Sequence, residues 1–185
     1  MTSHTTAIRE AIYSRLESLP GYTTIRKQGT PTLSVDDLPA LSIFIADERL
    51  DPDGDANAGP PKFGVTATII VAVSRGFDDP SVTDGIIDAD IDAIENTLLT
   101  DPTFVGFGTD VNARFESING IRRRRIFEKE GESYFLELQL EFQFFYRWIY
   151  NPVINDNFTT LSVTAKPNND AGADEFNRTW SLPAS

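Results

Sequence analysis

The clearest pattern in the chain is the alternation of apolar and polar residues from position 134 to position 148. The even positions carry large apolar side chains, namely Leu136, Leu138, Leu140, Phe142, Phe144, Tyr146 and Trp148. Most odd positions carry Glu, Gln or Arg. A period of two predicts a strand with one face on a core and the other in water. At about 3.3 Å per residue the strand spans roughly 50 Å, so we expect it to run past its own domain and meet a partner.

Other stretches rich in β-favouring residues predict the rest of a sheet. They are Ala40–Ala46, Val65–Ser74 and Ile118–Phe127, with a short extended piece at Tyr22–Arg26. A loop rich in Asp, Gly and Pro is expected from Asp47 to Lys62, so the strands on either side form a long-tipped hairpin. A second hairpin is expected to turn near Glu130 and Gly131.

Two segments have apolar residues at steps of three and four, which is typical of amphipathic helices. The first runs from Thr6 to Leu19, with Ser3, Thr5 or Thr6 as its cap. The second runs from about Val82 to Leu99 and stops at Thr100-Asp101-Pro102. The fold class that follows is α+β: a two-layer sandwich with a mainly antiparallel or mixed sheet of four to five strands. Two helices pack on one face of that sheet, and a C-terminal extension follows it.

The composition changes near residue 151, which divides the chain into residues 1–150 and 151–185. The second part is rich in Asn, Asp, Thr and Pro and is expected to be an extension or arm. Its isolated aromatic residues, Phe158, Phe176 and Trp180, are typical of anchors that become ordered on a partner's surface. A disordered end with incidental aromatic residues is the alternative.

Charge and residue types narrow the possible functions. The chain holds 16 Lys and Arg against 28 Asp and Glu, a net charge of −12, which disfavours general binding to nucleic acid. No cysteine is present, so disulfides and thiolate chemistry are excluded. The N-terminus lacks the features of a secretion signal and no run of about 20 apolar residues occurs, so we expect a soluble protein made in the cytoplasm.

Candidate catalytic and metal-binding residues are weak. His4 is the only histidine and precedes the first helix in a segment expected to be mobile, which excludes a Ser-His-Asp triad and a His-ligated zinc. The cluster Asp51, Asp53, Asp55 and Asn57 lacks the Gly and Glu that a calcium loop needs. The carboxylates Asp84, Asp88, Asp92 and Glu95 are expected on an exposed helix face. We therefore expect no catalytic residues, no metal and no cofactor.

The run Arg122, Arg123, Arg124 and Arg125 is the one concentrated positive feature. Alternation places two of these arginines beside Glu137 and Glu141 of the last strand. The other two are expected beyond the core edge, where they pair with acidic residues of an identical neighbour. Ion pairs within one chain are the alternative, followed by a phosphate-binding patch.

The order of these features resembles the tail terminator proteins of long-tailed bacteriophages. The resemblance covers about residues 5 to 150. It rests on the opening helix Ala7 to Leu19, the step Val35-Asp36-Asp37-Leu38-Pro39-Ala40 before the first core strand, and the acidic loop. It continues through the strand Val65–Val73, the second helix with its Asp-Pro break, an Arg-containing strand, and the ending Tyr146-Arg147-Trp148.

The resemblance implies a structural subunit that forms a hexameric ring on the head-proximal end of the tail tube. Such a ring stops tube polymerisation and joins the tail to the head, with the tail tube protein and head-completion or connector proteins as partners. DNA passes through its lumen without specific binding, and the virion tail or neck is the expected location. Residues expected at subunit contacts are Arg122, Arg123, Arg124, Arg125, Tyr146, Trp148, Phe158, Phe176 and Trp180. The alternatives are another neck component or a tube subunit and, more distantly, an acidic hydrolase.

Overall fold

The computed structural model describes eight segments of the chain. They are residues 3–27, 34–54, 60–77, 83–105, 114–130, 133–150, 160–165 and 176–181. The chain divides into two compact units, Met1–Tyr150 and Asn151–Ser185. The described residues of the first unit form a five-stranded sheet and three α-helices, and those of the second form a two-stranded sheet.

The five strands of the first unit lie in the order β1-β2-β3-β5-β4. Their bounds are β1 Thr24–Arg26, β2 Ala40–Pro52, β3 Lys62–Phe77, β4 Ser117–Glu130 and β5 Ser133–Ile149. β1 runs parallel to β2, and every other neighbouring pair is antiparallel. The mixed sheet confirms the predicted α+β class. β1 and β4 are the edge strands.

The β2–β3 hairpin is longer than its sequence indicated. Within the predicted loop from Asp47 to Lys62, residues 47–52 belong to β2, because they pair with residues 63–68 of β3. Backbone pairing therefore overrides the polar composition of this segment. A bulge at Ala46 shifts the register between Ile45 and Asp47 and turns Glu48 and Leu50 toward the helix-covered side.

The long strand β5 is paired within its own domain. β3 accompanies it over 16 residue pairs, from Tyr134 to Ile149, and β4 lines its other side from Ser133 to Phe145. The expectation that this strand runs past its sheet to reach a partner is therefore wrong. The reason is that β3 is nearly as long as β5, so the backbone groups of β5 find partners inside the chain.

Three helices accompany the sheet: α1 His4–Leu16, α2 Thr83–Leu99 and α3 Pro102–Val105. The Ser3 hydroxyl caps α1 by accepting a hydrogen bond from the Thr6 amide at 3.1 Å. α1 begins and ends earlier than predicted, although Leu19 still packs against the core. α3 was not predicted. Its start is explained by Asp101, whose side chain accepts the Thr103 amide, followed by Pro102 at the first helical position.

α1 and α2 cover one face of the sheet, as the sequence predicted. Ile8, Ile12 and Leu16 of α1 join the even-numbered residues of β5 from Leu136 to Tyr146 in one buried cluster. The same cluster holds the apolar stripe of α2, namely Ile87, Ile91, Ile94 and Leu98. We call this side of the sheet the covered face. The opposite side, the open face, carries the odd-numbered residues of β5 and has no described helix packed on it.

The second unit contributes one antiparallel hairpin to the described residues. β6 Thr160–Ala165 pairs with β7 Phe176–Ser181. The interpretation of residues 151–185 as an extension or arm, and of residues 1–150 as a terminator-like domain, stays a prediction.

Candidate interface surfaces

The arginine run lies in the middle of β4, an edge strand of 14 residues. Among the described residues only β5 pairs with β4, so its outer edge presents unpaired backbone groups. The four side chains alternate between the two faces of the sheet. Opposite them on β5, Arg123 faces Leu140 and Arg125 faces Leu138, whereas Arg122 faces Glu141 and Arg124 faces Gln139.

The two arginines on the covered face form ion pairs with α2 of their own chain. Arg123 donates two hydrogen bonds to Glu95, at 2.6 and 2.8 Å, and Arg125 donates one to Asp88 at 2.8 Å. The hydrogen bonds from Arg123 to Glu95 raise the pKa of that guanidinium, and the charge of Glu95 adds to the effect. Pairing within the chain, the alternative in the sequence interpretation, therefore describes these two residues. Their role at a subunit contact stays a prediction.

The two arginines on the open face have weaker ion pairing than the two on the covered face. The Arg122 guanidinium lies 3.9 Å from Glu141 and its side chain is 74% exposed. Arg124 is exposed and has no ion-pair partner within the described ranges. The predicted proximity to Glu141 is confirmed for Arg122, whereas Glu137 lies opposite Ile126. Arg122 and Arg124 thus form a cationic group on an open strand edge.

The opposite edge of the sheet is acidic. β1 pairs only with Ala40–Ser42, so in the described part of the chain the outer edge of β2 is open from Ile43 to Pro52. Asp47 is exposed on this edge, faces the open side of the sheet, and has no recorded side-chain partner among the described residues. Two residues farther on, Arg49 pairs with Asp51 at 2.9 Å. The two edges of one subunit therefore carry opposite charge.

A cluster of aromatic residues lies at the end of β5. Tyr146 is buried, its hydroxyl lies 2.8 Å from that of Thr5, and burial raises the pKa of the phenol. The His4 ring packs on Tyr146, with 4.2 Å between ring centroids, and its Nε2 contacts the Arg114 carbonyl oxygen. The expectation that His4 precedes the first helix is wrong, because α1 begins at His4. Trp148 is 36% exposed.

A buried polar triad links α2 to β3, and the sequence interpretation missed it. Arg75 donates two hydrogen bonds to Asp90, at 2.6 and 2.7 Å, and the Tyr22 hydroxyl donates a third at 3.0 Å. Burial, together with the charge of Asp90, raises the pKa of Tyr22, and the hydrogen bonds to Asp90 raise that of Arg75. The sequence contained a signal for this contact. Arg75 continues the apolar row of β3, and Asp90 lies beside Ile91 on the buried stripe of α2. An arginine and an aspartate on facing apolar surfaces imply a pair.

The acidic candidates on α2 differ in their surroundings. Asp88 and Glu95 are engaged by arginines, and Asp92 is exposed on α2. No group of three His, Asp or Glu side chains suited to a metal ion occurs among the residues that the structure describes. The side chain of Asp84, together with Asp55 and Asn57 of the calcium-like cluster, lies outside the described residues. No described helix has the length and hydropathy to cross a bilayer.

The three C-terminal aromatic residues are placed only in part. Phe158 lies outside the described residues, and Phe176 and Trp180 belong to β7, of which only the backbone is described. Their assignment as contact anchors stays a prediction.

Comparison with known proteins gives remote structural likenesses. No protein-family model matches the sequence, and no curated protein matches it. A chain described as "Virion of native gene transfer agent (GTA) particle" is similar at a TM-score of 0.43 and 14% identity, over 78% of this chain and 99% of that chain. A chain described as "Cryo-EM Structure of an Extracellular Contractile Injection System, PVC sheath/tube terminator in extended state" is similar at 0.43 and 12%, over 94% of this chain and 67% of that chain. The function proposed below is therefore argued from the contacts and charges of this chain.

Proposed function

We propose that this protein is a structural subunit of a ring at the head-proximal end of a phage tail tube. The ring stops polymerisation of the tube and provides the surface that joins the tail to the head. The sequence resemblance to tail terminator proteins suggests the place in the virion. The observation that carries the ring itself is the open sheet with two unlike edges, one cationic and one acidic.

Unlike edges favour closed rings over two-fold dimers. A cyclic ring requires a heterologous contact, in which one patch meets a different patch on the next copy. The β4 edge carries Arg122 and Arg124, and the β2 edge carries Asp47, so each copy holds both halves of such a contact. Attraction between unlike patches also guides the orientation of association.

A structural role agrees with the way the charged groups of α2 are used. Asp90 is bound by Arg75 and Tyr22, Glu95 by Arg123, and Asp88 by Arg125. A general base must be free to take a proton from a substrate, and a bound carboxylate is poorly suited to that task. We therefore propose a non-enzymatic protein, and the acidic hydrolase is the less favoured alternative.

The remaining assignments belong to this proposal. Neighbouring copies, the tail tube protein and a head-completion or connector protein are the partners, and DNA passes through the lumen without specific binding. Arg122 and Arg124 supply the ring contact. Trp148, Phe158, Phe176 and Trp180 are proposed as further contact residues. Tyr146 is buried in its own chain, and its place at a subunit contact stays a prediction.

Purified protein tests the proposal directly. Native mass spectrometry and negative-stain electron microscopy at increasing concentration should show one closed ring of fixed subunit number, six if the family resemblance holds. A tube subunit would give cylinders of growing length instead. A protein that stays monomeric at high concentration would contradict the ring.

Deletion of the gene in its phage separates termination from joining. We expect tails of uncontrolled length, because nothing then stops polymerisation of the tube. Tails of normal length that lack heads would instead identify another neck component, such as a connector protein.

A further inference from the structure

The open face keeps the two charged edges of the sheet on the same side. Arg122 and Arg124 of β4 lie on that face, since they are opposite Glu141 and Gln139 of β5. Asp47 of β2 lies on the same face, opposite Thr68 of β3. If the sheet of one copy continues into the sheet of the next, side chains on one face stay on one face. The arginines and the aspartate are therefore on the correct side to meet.

Strand direction also agrees with such a continuation. β2 is antiparallel to β3, β3 to β5, and β5 to β4, so β4 and β2 run in opposite directions. Rotation about an axis along the strands leaves these directions unchanged. The outer edge of β4 would therefore meet the outer edge of β2 in the next copy as an antiparallel pair, which is a common way to cover an exposed strand edge.

The register of the contact follows from the positions of the charges. Within one copy Arg122 lies level with Phe44, through Glu141 and Ile70. Asp47 is two paired residues farther along β3, so a register shift of about 7 Å along the strands between copies brings Arg122 level with it. A closed ring accommodates such a shift when its strands tilt from the ring axis, which leaves the pairing antiparallel. Arg124 then lies diagonally from Asp47, within reach of a long side chain.

We propose that neighbouring copies join by antiparallel pairing of β4 with residues 43–52 of β2, with Arg122 and Arg124 of one copy flanking Asp47 of the next. The partner is a second copy of this chain, and the contact rests on the ring function proposed above. β1 limits the contact at one end, because it occupies the outer edge of β2 at Ala40–Ser42. Asp47 lies just beyond the residues of β2 that pair with β1, and no described side chain neutralises its charge.

Charge reversal on each edge, followed by mixing, tests the contact. One variant carries Arg122→Glu and Arg124→Glu, and the other carries Asp47→Arg. Each variant alone has two edges of like charge, so we expect ring formation to weaken at least about tenfold. When the two variants are mixed, each reversed edge meets an opposite charge. Rings should reappear with the two variants in equal numbers, which native mass spectrometry reads from their different masses.

Lys62→Glu is the matched control, because Lys62 is exposed on the central strand β3 and does not lie on an open edge. Its rings should form as in the unaltered protein. Circular dichroism melting should show that all variants fold, since the changed side chains are exposed. If each reversed variant alone forms rings normally, or the mixture contains no alternating rings, the edge pairing is wrong although the ring function stands. If the unaltered protein forms no ring, the proposed function fails first.

Discussion

The covered and open faces of the sheet differ most clearly at two phenylalanines of β5. Phe142 is fully buried on the covered face between the helices and the sheet. Phe145, three positions later, lies half-buried on the open face, where its ring contacts the position of Gly64 and the Arg147 guanidinium. The same residue type therefore serves cohesion on one face and lies on an accessible surface on the other. The helices, rather than the strand sequence alone, therefore decide which side of the sheet holds the fold together.

Removing an aromatic ring from each face is the strongest test of this comparison. We expect Phe142→Ala to lower the free energy of unfolding by about 3–5 kcal/mol, because it removes a large buried side chain and leaves a cavity. Phe145→Ala should cost less than half as much, because part of its ring is already in water. Urea denaturation followed by circular dichroism measures both values. Equal losses would mean that the open face is as deeply buried as the covered one.

The buried triad provides the next largest effect. Asp90→Ala leaves the Arg75 guanidinium, whose side chain is only 18% exposed, without its carboxylate, and we expect a loss of about 3 kcal/mol. Asp88→Ala removes the exposed partner of Arg125 and should cost less than about 1 kcal/mol. Both values come from the same denaturation measurement. Similar small losses for both would show that Arg75 reaches water when Asp90 is absent.

The triad can also be replaced as a unit. Asp90→Leu combined with Arg75→Met should recover much of the stability lost in Asp90→Ala, because apolar residues of similar size need no charge partner. A double variant as unstable as the single one would show that the triad fixes the packing of α2 by more than its charges.

The smallest expected effect concerns the partly exposed pair that joins α1 to α3. Hydrogen bonds from the Thr103 hydroxyl and the Arg15 guanidinium lower the pKa of Asp101 to about 2, from an ordinary value near 4. A lowered pKa means that the folded state favours the ionised form, so its contribution is complete above about pH 4 and is lost as the pH falls toward 2.

Comparison with Asp101→Asn measures that contribution. The unaltered protein should be more stable than this variant by less than about 1 kcal/mol at pH 6, since solvent screens the pair. The difference should shrink between pH 4 and pH 2 in thermal melts. A difference that does not change over this range would mean that the Asp101 charge does not act on stability.

Much of the fold was predictable, because the spacing of apolar residues in the sequence matches the faces of the helices and strands that are buried. The stripe Ile87, Ile91, Ile94 and Leu98 and the even row of β5 are both set by one buried face. The longer hairpin was not predictable in the same way. Residues 47–52 are polar and are strand only because β3 lies beside them, which is a non-local cause.

The candidate surfaces were predictable only in outline. The sequence placed four arginines on one strand, but which two pair with a helix depends on the position of α2, whose Asp88 and Glu95 bind Arg125 and Arg123. The prediction that β5 runs past its own sheet was wrong, because β3 is longer than its sequence indicated and pairs with β5. The triad was missed because Tyr22, Arg75 and Asp90 come from three separate elements.

The arginine run has a further consequence for unwanted association. An open strand edge of 14 residues would pair with many other strands, its own copy included. Two β4 edges brought together would place cations against cations, so self-pairing of this strand is opposed by repulsion. We therefore expect the run to disfavour symmetric dimers and fibrous aggregates, which agrees with the acidic neighbouring strand proposed above.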